Sequence, residues 1–194
     1  MYHLIIAAHP SLKSFNHAVV ETYASALIER AHRVERRDLY AENFNPILSE
    51  RDLVAVRRGK PAKDIRDEQA AVRRADVLTL ISPLWWSGFP AILKGYFDRV
   101  FSAGFAYVIK KGQYLPRLAG IKGVIITTTG ATMKELRGDG TLRALRTIYD
   151  EGLMQFCGIE MLRHLYLSGI DPDMSRADGE KLLASVRRFV GRTF

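Results

Sequence analysis

Residues 76–102 read DVLTLISPLWWSGFPAILKGYFDRVFS. An apolar run from Asp76 to Ser82 stops at Pro83. A loop bounded by Pro83 and Pro90 follows. Ile92, Leu93, Tyr96, Phe97, Val100 and Phe101 then recur at helical spacing. Pro90 stands near the helix start, where a proline costs no intrahelical hydrogen bond. The stretch therefore predicts a buried strand, a stiff connection and an amphipathic helix. A nearly continuous apolar strand is what a parallel sheet covered on both faces requires.

The alternation extends in both directions. A first strand is expected at about 2–8 and a helix from Asn16 to Ala31, with Val20, Ala24, Leu27, Ile28 and Ala31 as its core face. The second strand, about 33–39, mixes polar and apolar residues and reads as an edge. Residues 40–63 are the least regular, with turns at Asn45-Pro46 and Gly59-Lys60-Pro61 and a short helix near 49–57. A helix at 64–74 leads into the third strand, 76–82, which is followed by the helix at 91–102. The fourth strand is expected at 122–128. A helix at 140–156 carries Leu142, Leu145, Tyr149, Leu153 and Phe156. The fifth strand is expected at 159–167, and a last helix begins at Asp173 or Ser175 and runs to about 190. Strands alternating with helices imply an α/β, doubly wound five-stranded parallel sheet of flavodoxin-like order 2-1-3-4-5. Residues 1–194 are expected to form one domain.

Composition narrows the class. The chain is 47% hydrophobic and 26% charged, which suits a globular protein and not a disordered or fibrous one. A single cysteine, Cys157, excludes an internal disulfide framework and a cysteine zinc site, and makes the cytoplasm the expected compartment. Cys157 is expected to be a buried structural thiol. His3, His9, His17, His32 and His164 lack metal-ligand spacing, so no metal is assigned. No segment has the ~18 apolar residues of a transmembrane span. The net charge of +8 suits anionic partners, but the basic residues are scattered and no nucleic-acid motif accompanies them.

In sheets of this order ligands bind outside the carboxyl ends of the strands, at the switch point beside the first strand. Three strand-end loops are therefore the candidates. The first, His9-Pro10-Ser11-Leu12-Lys13-Ser14-Phe15-Asn16, leads into a helix whose free N–H groups favour an anion. It has no glycine-rich fingerprint, and a plain capped turn, with Ser14 or Asn16 as N-cap, is the alternative. The second, Pro83 to Pro90, holds both tryptophans, Trp85 and Trp86. It suits stacking on a planar ligand or packing in a core or dimer contact. Neighbours on one loop rarely face the same way, so one tryptophan is expected to pack and the other to line the site. The third, Thr127-Thr128-Thr129-Gly130-Ala131-Thr132, offers hydroxyls and a glycine turn.

Taken together the loops carry a resemblance. AAHPSLKSFN resembles the HxxxxSFN phosphate loop of the flavodoxin-like NAD(P)H:quinone oxidoreductases. SPLWWSGFPAILKGYFDRVFSAGFAY is similar to that family's PLxWxxxPAxLKGxxDRVFxxGFAY signature, and TTTGAT to its TTGG loop. The resemblance implies a flavin, FAD or alternatively FMN, and NAD(P)H as donor. It also implies a quinone-like acceptor, a ping-pong cycle and a homodimer. By position it implies that His9, Ser14, Phe15 and Asn16 bind the phosphate and adenosine half. Leu84, Trp85, Trp86 and Ser87 would hold the isoalloxazine, with Thr128, Thr129, Gly130 and Ala131 at its other edge. Phe105 and Tyr107 would reach the shared substrate pocket, from this chain or from its partner.

The chain departs from the pattern twice. Ala131 replaces the second glycine of the TTGG loop. The Tyr and His that the family carries shortly after that loop are missing from Met133–Gly140, where Lys134 or Arg137 is the candidate cation for a reduced flavin, a solvated basic pair being the alternative. Two other readings share the fold: a flavodoxin-type one-electron carrier, and a flavin-loaded ancillary subunit of a glutathione-gated potassium efflux transporter. Carriers of the first kind are typically acidic, unlike this chain.

Overall fold

The computed structural model describes residues 1–194. Five parallel strands form the central sheet: β1 (Tyr2–Ala7), β2 (Arg33–Asp38), β3 (Val77–Pro83), β6 (Lys122–Thr129) and β7 (Glu160–Ser168). Their spatial order is β2-β1-β3-β6-β7, which is the expected 2-1-3-4-5 once the two strands of a small hairpin are set aside. That hairpin pairs β4 (Tyr107–Lys110) with β5 (Gln113–Pro116) in antiparallel fashion.

The sheet is buried on both faces because its three central strands alternate two apolar sets. On one face Ile5, Ala7, Val77, Ile81, Val124 and Ile126 pack under α1 (Phe15–Ile28) and α7 (Arg176–Thr193). On the other, Leu4, Ile6, Leu78, Leu80 and Ile125 meet α3 (Lys63–Arg74) and α4 (Ala91–Val100). The edge strands are less enclosed, and β2 is the expected edge.

Helix boundaries differ from expectation in informative ways. Helix α1 starts at Phe15, and Ser14 is its N-cap, accepting a bond from the His17 amide. It ends at Ile28, which faces solvent, and Ala31 falls in a left-handed turn beyond it, so neither belongs to the core face. The short helix α2 (Glu50–Arg57) is closed by a capping box between Ser49 and Asp52. Ser175 caps α7, which continues to Thr193.

Two elements went unread in the sequence. The β4–β5 hairpin has no alternating pattern because β5 is exposed throughout; its signal was the Lys111-Gly112 turn, both residues at positive φ. Helix α5 (Met133–Gly138) is only six residues long, closed by a capping box between Thr132 and Glu135. The expected helix at 140–156 is continuous in path but not in winding. It begins as α6 (Thr141–Leu145), widens to a π-helix over Arg146–Met154 and tightens to a 3₁₀ turn over Gln155–Cys157. Phe156 consequently leaves the core and packs with Tyr107 and Tyr114. Cys157 is buried, and burial pushes its thiol up to about 11.

Helix α4 is pinned by residues of its Lys94–Val100 stretch. The Arg99 guanidinium is buried, bonding Asp52 of α2, Asp64 of α3 and the Asn45 carbonyl. Gly95, one turn earlier, faces Pro46, and a Cβ there would collide with the Pro46 carbonyl and ring. Gly95→Ala should therefore cost about 1–3 kcal/mol by overpacking, measured by urea denaturation; an unchanged midpoint would mean that the Pro46 segment yields freely.

At the opposite end of the sheet His3 is fully buried. Its Nε2 lies 2.8 Å from His32 Nδ1, and the Phe194 ring stands edge-on at 4.7 Å. Burial pushes His3 down to about 4 from an ordinary 6.5. The folded state thus binds this proton less readily than the unfolded chain. Stability should be full above pH ~6.5 and decline by up to about 1.4 kcal/mol per pH unit as the pH falls toward 4. Urea titrations across that range measure it, and a flat profile would contradict the neutral buried imidazole.

Candidate active site

The carboxyl ends of β1, β3 and β6 open into a cleft of about 240 Å³. His9, Ser14, Phe15, Asn16, Leu84, Trp85, Thr128, Thr129 and Gly130 line it, together with Pro83 and Ile170. All three sequence-predicted loops therefore meet at one place. Pro83 and Ile170 were missed because an apolar residue beside a strand end carries no chemical signal of its own.

Each wall has a local cause. The amides of Phe15 and Asn16 are the first of α1 and have no carbonyl behind them, so they remain free donors. Asn16 is buried and its Nδ2 donates to Thr128 Oγ1 at 2.7 Å, fastening α1 to β6. Its Oδ1 has no partner. Because the Thr128 hydroxyl can donate or accept, Asn16 can turn either end of its amide to the cleft. His9 Nδ1 accepts the Ser11 amide at 3.0 Å, and burial holds the imidazole below its ordinary value.

The tryptophan loop is held at both ends. The Leu84 amide donates to the Thr128 carbonyl at 2.8 Å, and Trp85 and Gly88 exchange backbone bonds of 3.0 Å in each direction. Between them Trp86 and Ser87 take φ values of 51° and 56°, a tight turn in the left-handed region. A bulky non-glycine residue there costs on the order of 1–3 kcal/mol. The strain is held from below by Tyr149 of the π-helix. Its hydroxyl accepts the Phe89 amide at 2.9 Å, and its ring stacks on Phe89 at 3.8 Å.

The turn corrects the expected tryptophan arrangement. Trp85 lines the cleft, with its ring 5.7 Å from that of His9. Trp86 neither packs nor lines: the left-handed turn aims it into solvent, where it is 100% exposed, and Ser87 is exposed beside it. Ala131 sits just outside the cleft, donating its amide to Thr129 Oγ1. Phe105 is not in the cleft of its own chain. It is buried beside Phe101 with the Arg73 guanidinium over its ring at 5.2 Å. Tyr107 is likewise elsewhere, at the base of the hairpin against Tyr114 and Phe156. Lys134 lies exposed on the first turn of α5.

A second polar group lies behind β6. His164 of β7 joins Thr127 Oγ1 at 2.9 Å, Asp150 of the π-helix at 2.7 Å and the Tyr166 hydroxyl at 2.9 Å. It braces the strand that carries Thr128. Sequence reading missed it because Asp150 and His164 meet only through the π-helical winding.

Residues 1–190 match the Flavodoxin_2 family, a flavodoxin-like fold. The chain belongs to that family. It is 42% identical over 161 residues to an uncharacterized NAD(P)H oxidoreductase of Haemophilus influenzae, covering 82% of this chain and 80% of the relative. It is 34% identical over 183 residues to the NAD(P)H dehydrogenase [quinone] 1 of Rattus norvegicus, of which it covers 65%. Among solved structures, the NAD(P)H:quinone oxidoreductase from Methanothermobacter marburgensis superposes with a TM-score of 0.90 at 33% identity, over 98% of this chain and 97% of that one. Within the family the chain falls among the flavodoxin-like NAD(P)H:quinone oxidoreductases, and it is an oxidoreductase by that membership.

Tyr149→Phe keeps the stack on Phe89 and removes only the hydroxyl. The variant should lose about 1 kcal/mol of stability and exchange its Phe89 amide proton faster. Unchanged protection of that amide by hydrogen-exchange mass spectrometry or NMR would remove Tyr149 as the loop's support.

Proposed function

We propose that the cleft holds a flavin, FAD in preference to FMN, and that the protein passes reducing equivalents from NAD(P)H to quinone-type acceptors in two successive half-reactions. The observation that carries this reading is the buried side-chain oxygen of Asn16, which has no partner. It lies at the free N-terminus of α1, in the same cleft as Trp85 and the Thr128–Gly130 turn. A buried polar group without a partner is costly, and a bound ligand would satisfy it. The family membership supports the same reading.

A bound flavin supplies the centre that accepts hydride from nicotinamide and gives it to the acceptor. The chain supplies binding and orientation. The Phe15 and Asn16 amides, Ser14 and the helix dipole would hold the flavin's phosphate. Trp85 and Leu84, which line the cleft, would hold the ring. Thr129, the Gly130 turn and His9 would offer it polar groups. A cleft of about 240 Å³ is below the usual ~300–1,000 Å³ of a ligand pocket, so one chain encloses only part of the cofactor. The exposed Trp86, Ile109, Tyr114 and Phe156 then suit cover by a second copy of the chain, which would bring its Tyr107 toward the site.

The purified protein should be yellow, and heat should release FAD. Mixing with NADH or NADPH without oxygen should bleach it in the absence of any acceptor, and a quinone added afterwards should restore the colour. Protein that takes up neither FAD nor FMN would overturn the reading. Bleaching that requires the acceptor to be present from the start would overturn the two-step cycle.

A further inference from the structure

Beside the cleft, Ser14, His17 and Asp38 form a chain of hydrogen bonds from the edge strand to the phosphate end. Asp38 Oδ2 lies 2.8 Å from His17 Nε2, and His17 Nδ1 lies 3.1 Å from Ser14 Oγ. Asp38 is the last residue of β2, and its Oδ1 is already engaged by the Tyr40 and Ala41 amides at 3.1 Å each. Ser14 Oγ also caps α1 by accepting the His17 amide at 3.3 Å.

Counting protons along this chain has a consequence. A carboxylate only accepts, so the His17 nitrogen facing Asp38 must carry its hydrogen. In neutral His17 the other nitrogen is then bare and accepts from Ser14. Ser14 has one hydroxyl hydrogen, and it is spent on His17, pointing away from the cleft. If His17 gains a proton, Nδ1–H donates to Ser14 Oγ instead. The Ser14 oxygen then accepts from His17 twice, through backbone and ring, and its hydrogen is released toward the cleft.

We propose that Asp38, His17 and Ser14 are a proton-linked positioning relay, which turns the Ser14 hydroxyl onto the phosphate of the bound flavin as His17 takes up one proton from solvent. This rests on the flavin reading above. The one covalent change is the N–H bond formed when a solvent proton binds Nδ1; Ser14 keeps its O–H bond, which turns from Nδ1 to a phosphate oxygen. The anion and imidazolium are held in the same small volume, and each favours the other's binding.

The surroundings of His17 are mixed. From its own element Glu21 is one turn away, paired with Arg36 of β2. From the β1–α1 loop come Lys13 and His9, whose ring is 6.3 Å from that of His17. From β2 and its turn come Asp38 and Glu42, the latter accepting the Asp38 amide at 3.0 Å. His9 lines the cleft and adds its own pH dependence, so the relay has to be separated from it.

The separation comes from Asp38→Asn. An asparagine keeps the Oδ1 bonds and can donate from Nδ2 to His17 Nε2. Neutral His17 then carries its hydrogen on Nδ1 and frees Ser14 without a proton. The measurements are FAD affinity from pH 5 to 8 and proton uptake by calorimetry in buffers of different ionisation enthalpy. They use the flavin-stripped full chain, with riboflavin as the ligand lacking phosphate. In the wild type FAD binding should weaken as the pH rises from 5 to 8, by up to about tenfold per pH unit, and take up as much as one proton more than riboflavin binding does. Asp38→Asn should bind FAD at pH 8 about as well as the wild type does near pH 6, without the extra uptake. His17→Gln, which cannot protonate, should lose the extra uptake as well.

Equal uptake with FAD and riboflavin, or a slope that persists in Asp38→Asn, overturns the relay. If no flavin binds at any pH, the cofactor reading has failed, and inorganic sulfate, which does not titrate in this range, reads the relay alone. Proton uptake with sulfate in the wild type but not in Asp38→Asn then keeps it, and no uptake overturns it.

Discussion

A parallel sheet buried on both faces leaves its polar backbone nowhere to open except at the strand ends. Here β1, β3 and β6 are paired on both sides and covered by α1 and α7 on one face and α3 and α4 on the other. The free amides at the start of α1 and the polar groups of the Thr-Gly turn therefore lie together at the carboxyl ends of these strands. The Asn16–Thr128 bond joins the first helix to the fourth strand of the sheet at that edge, 112 residues apart in sequence. It fixes the helix N-terminus against the Thr-Gly turn, so the anion-seeking and ring-seeking halves of the cleft keep one geometry.

The tryptophan loop depends on a different device. Two residues without a glycine's freedom hold positive φ, a conformation that persists only when its surroundings impose it. Pro83 and Pro90 limit the loop ends, the Trp85–Gly88 bridge closes it and Tyr149 takes its outgoing amide. The π-helix makes the last of these possible. Adjacent residues in it serve two masters: Tyr149 reaches up to the loop, and Asp150 reaches His164 behind β6. Unusual helical winding of this kind is frequent at functional sites, and here it ties two walls of the cleft to one element.

The relay at Ser14 extends the same economy. A helix cap is ordinarily a matter of stability alone. When its hydroxyl also lines the cleft and touches an imidazole held by a carboxylate, cap and charge become one linked equilibrium. The bonds are all on the first turn of α1 and the end of β2, which meet directly through His17 and Asp38.

Much of this protein was legible without coordinates. Apolar runs such as Val77–Ile81 can only be central strands, since no one-sided sheet would tolerate them, and their number and spacing led to the strand order. The three loops could be named because phosphate-type, aromatic and Thr-Gly turns have side-chain signatures. The sequence by itself therefore determined the fold class, the cleft's position and most of its lining. What only the tertiary structure decided were the features set by backbone winding and by distant contacts. The left-handed turn sends Trp86 outward, although its composition matches that of Trp85. Core packing withdraws Phe105, and the hairpin carries Tyr107 away from its own cleft. The π-helix unites Tyr149, Asp150 and His164, and Asp38 meets His17 only because β2 lies beside β1. Local periodicity reports which side of an element is apolar. It cannot report where a strained turn points its side chain, or which polar groups two separate elements will bring within 3 Å of one another.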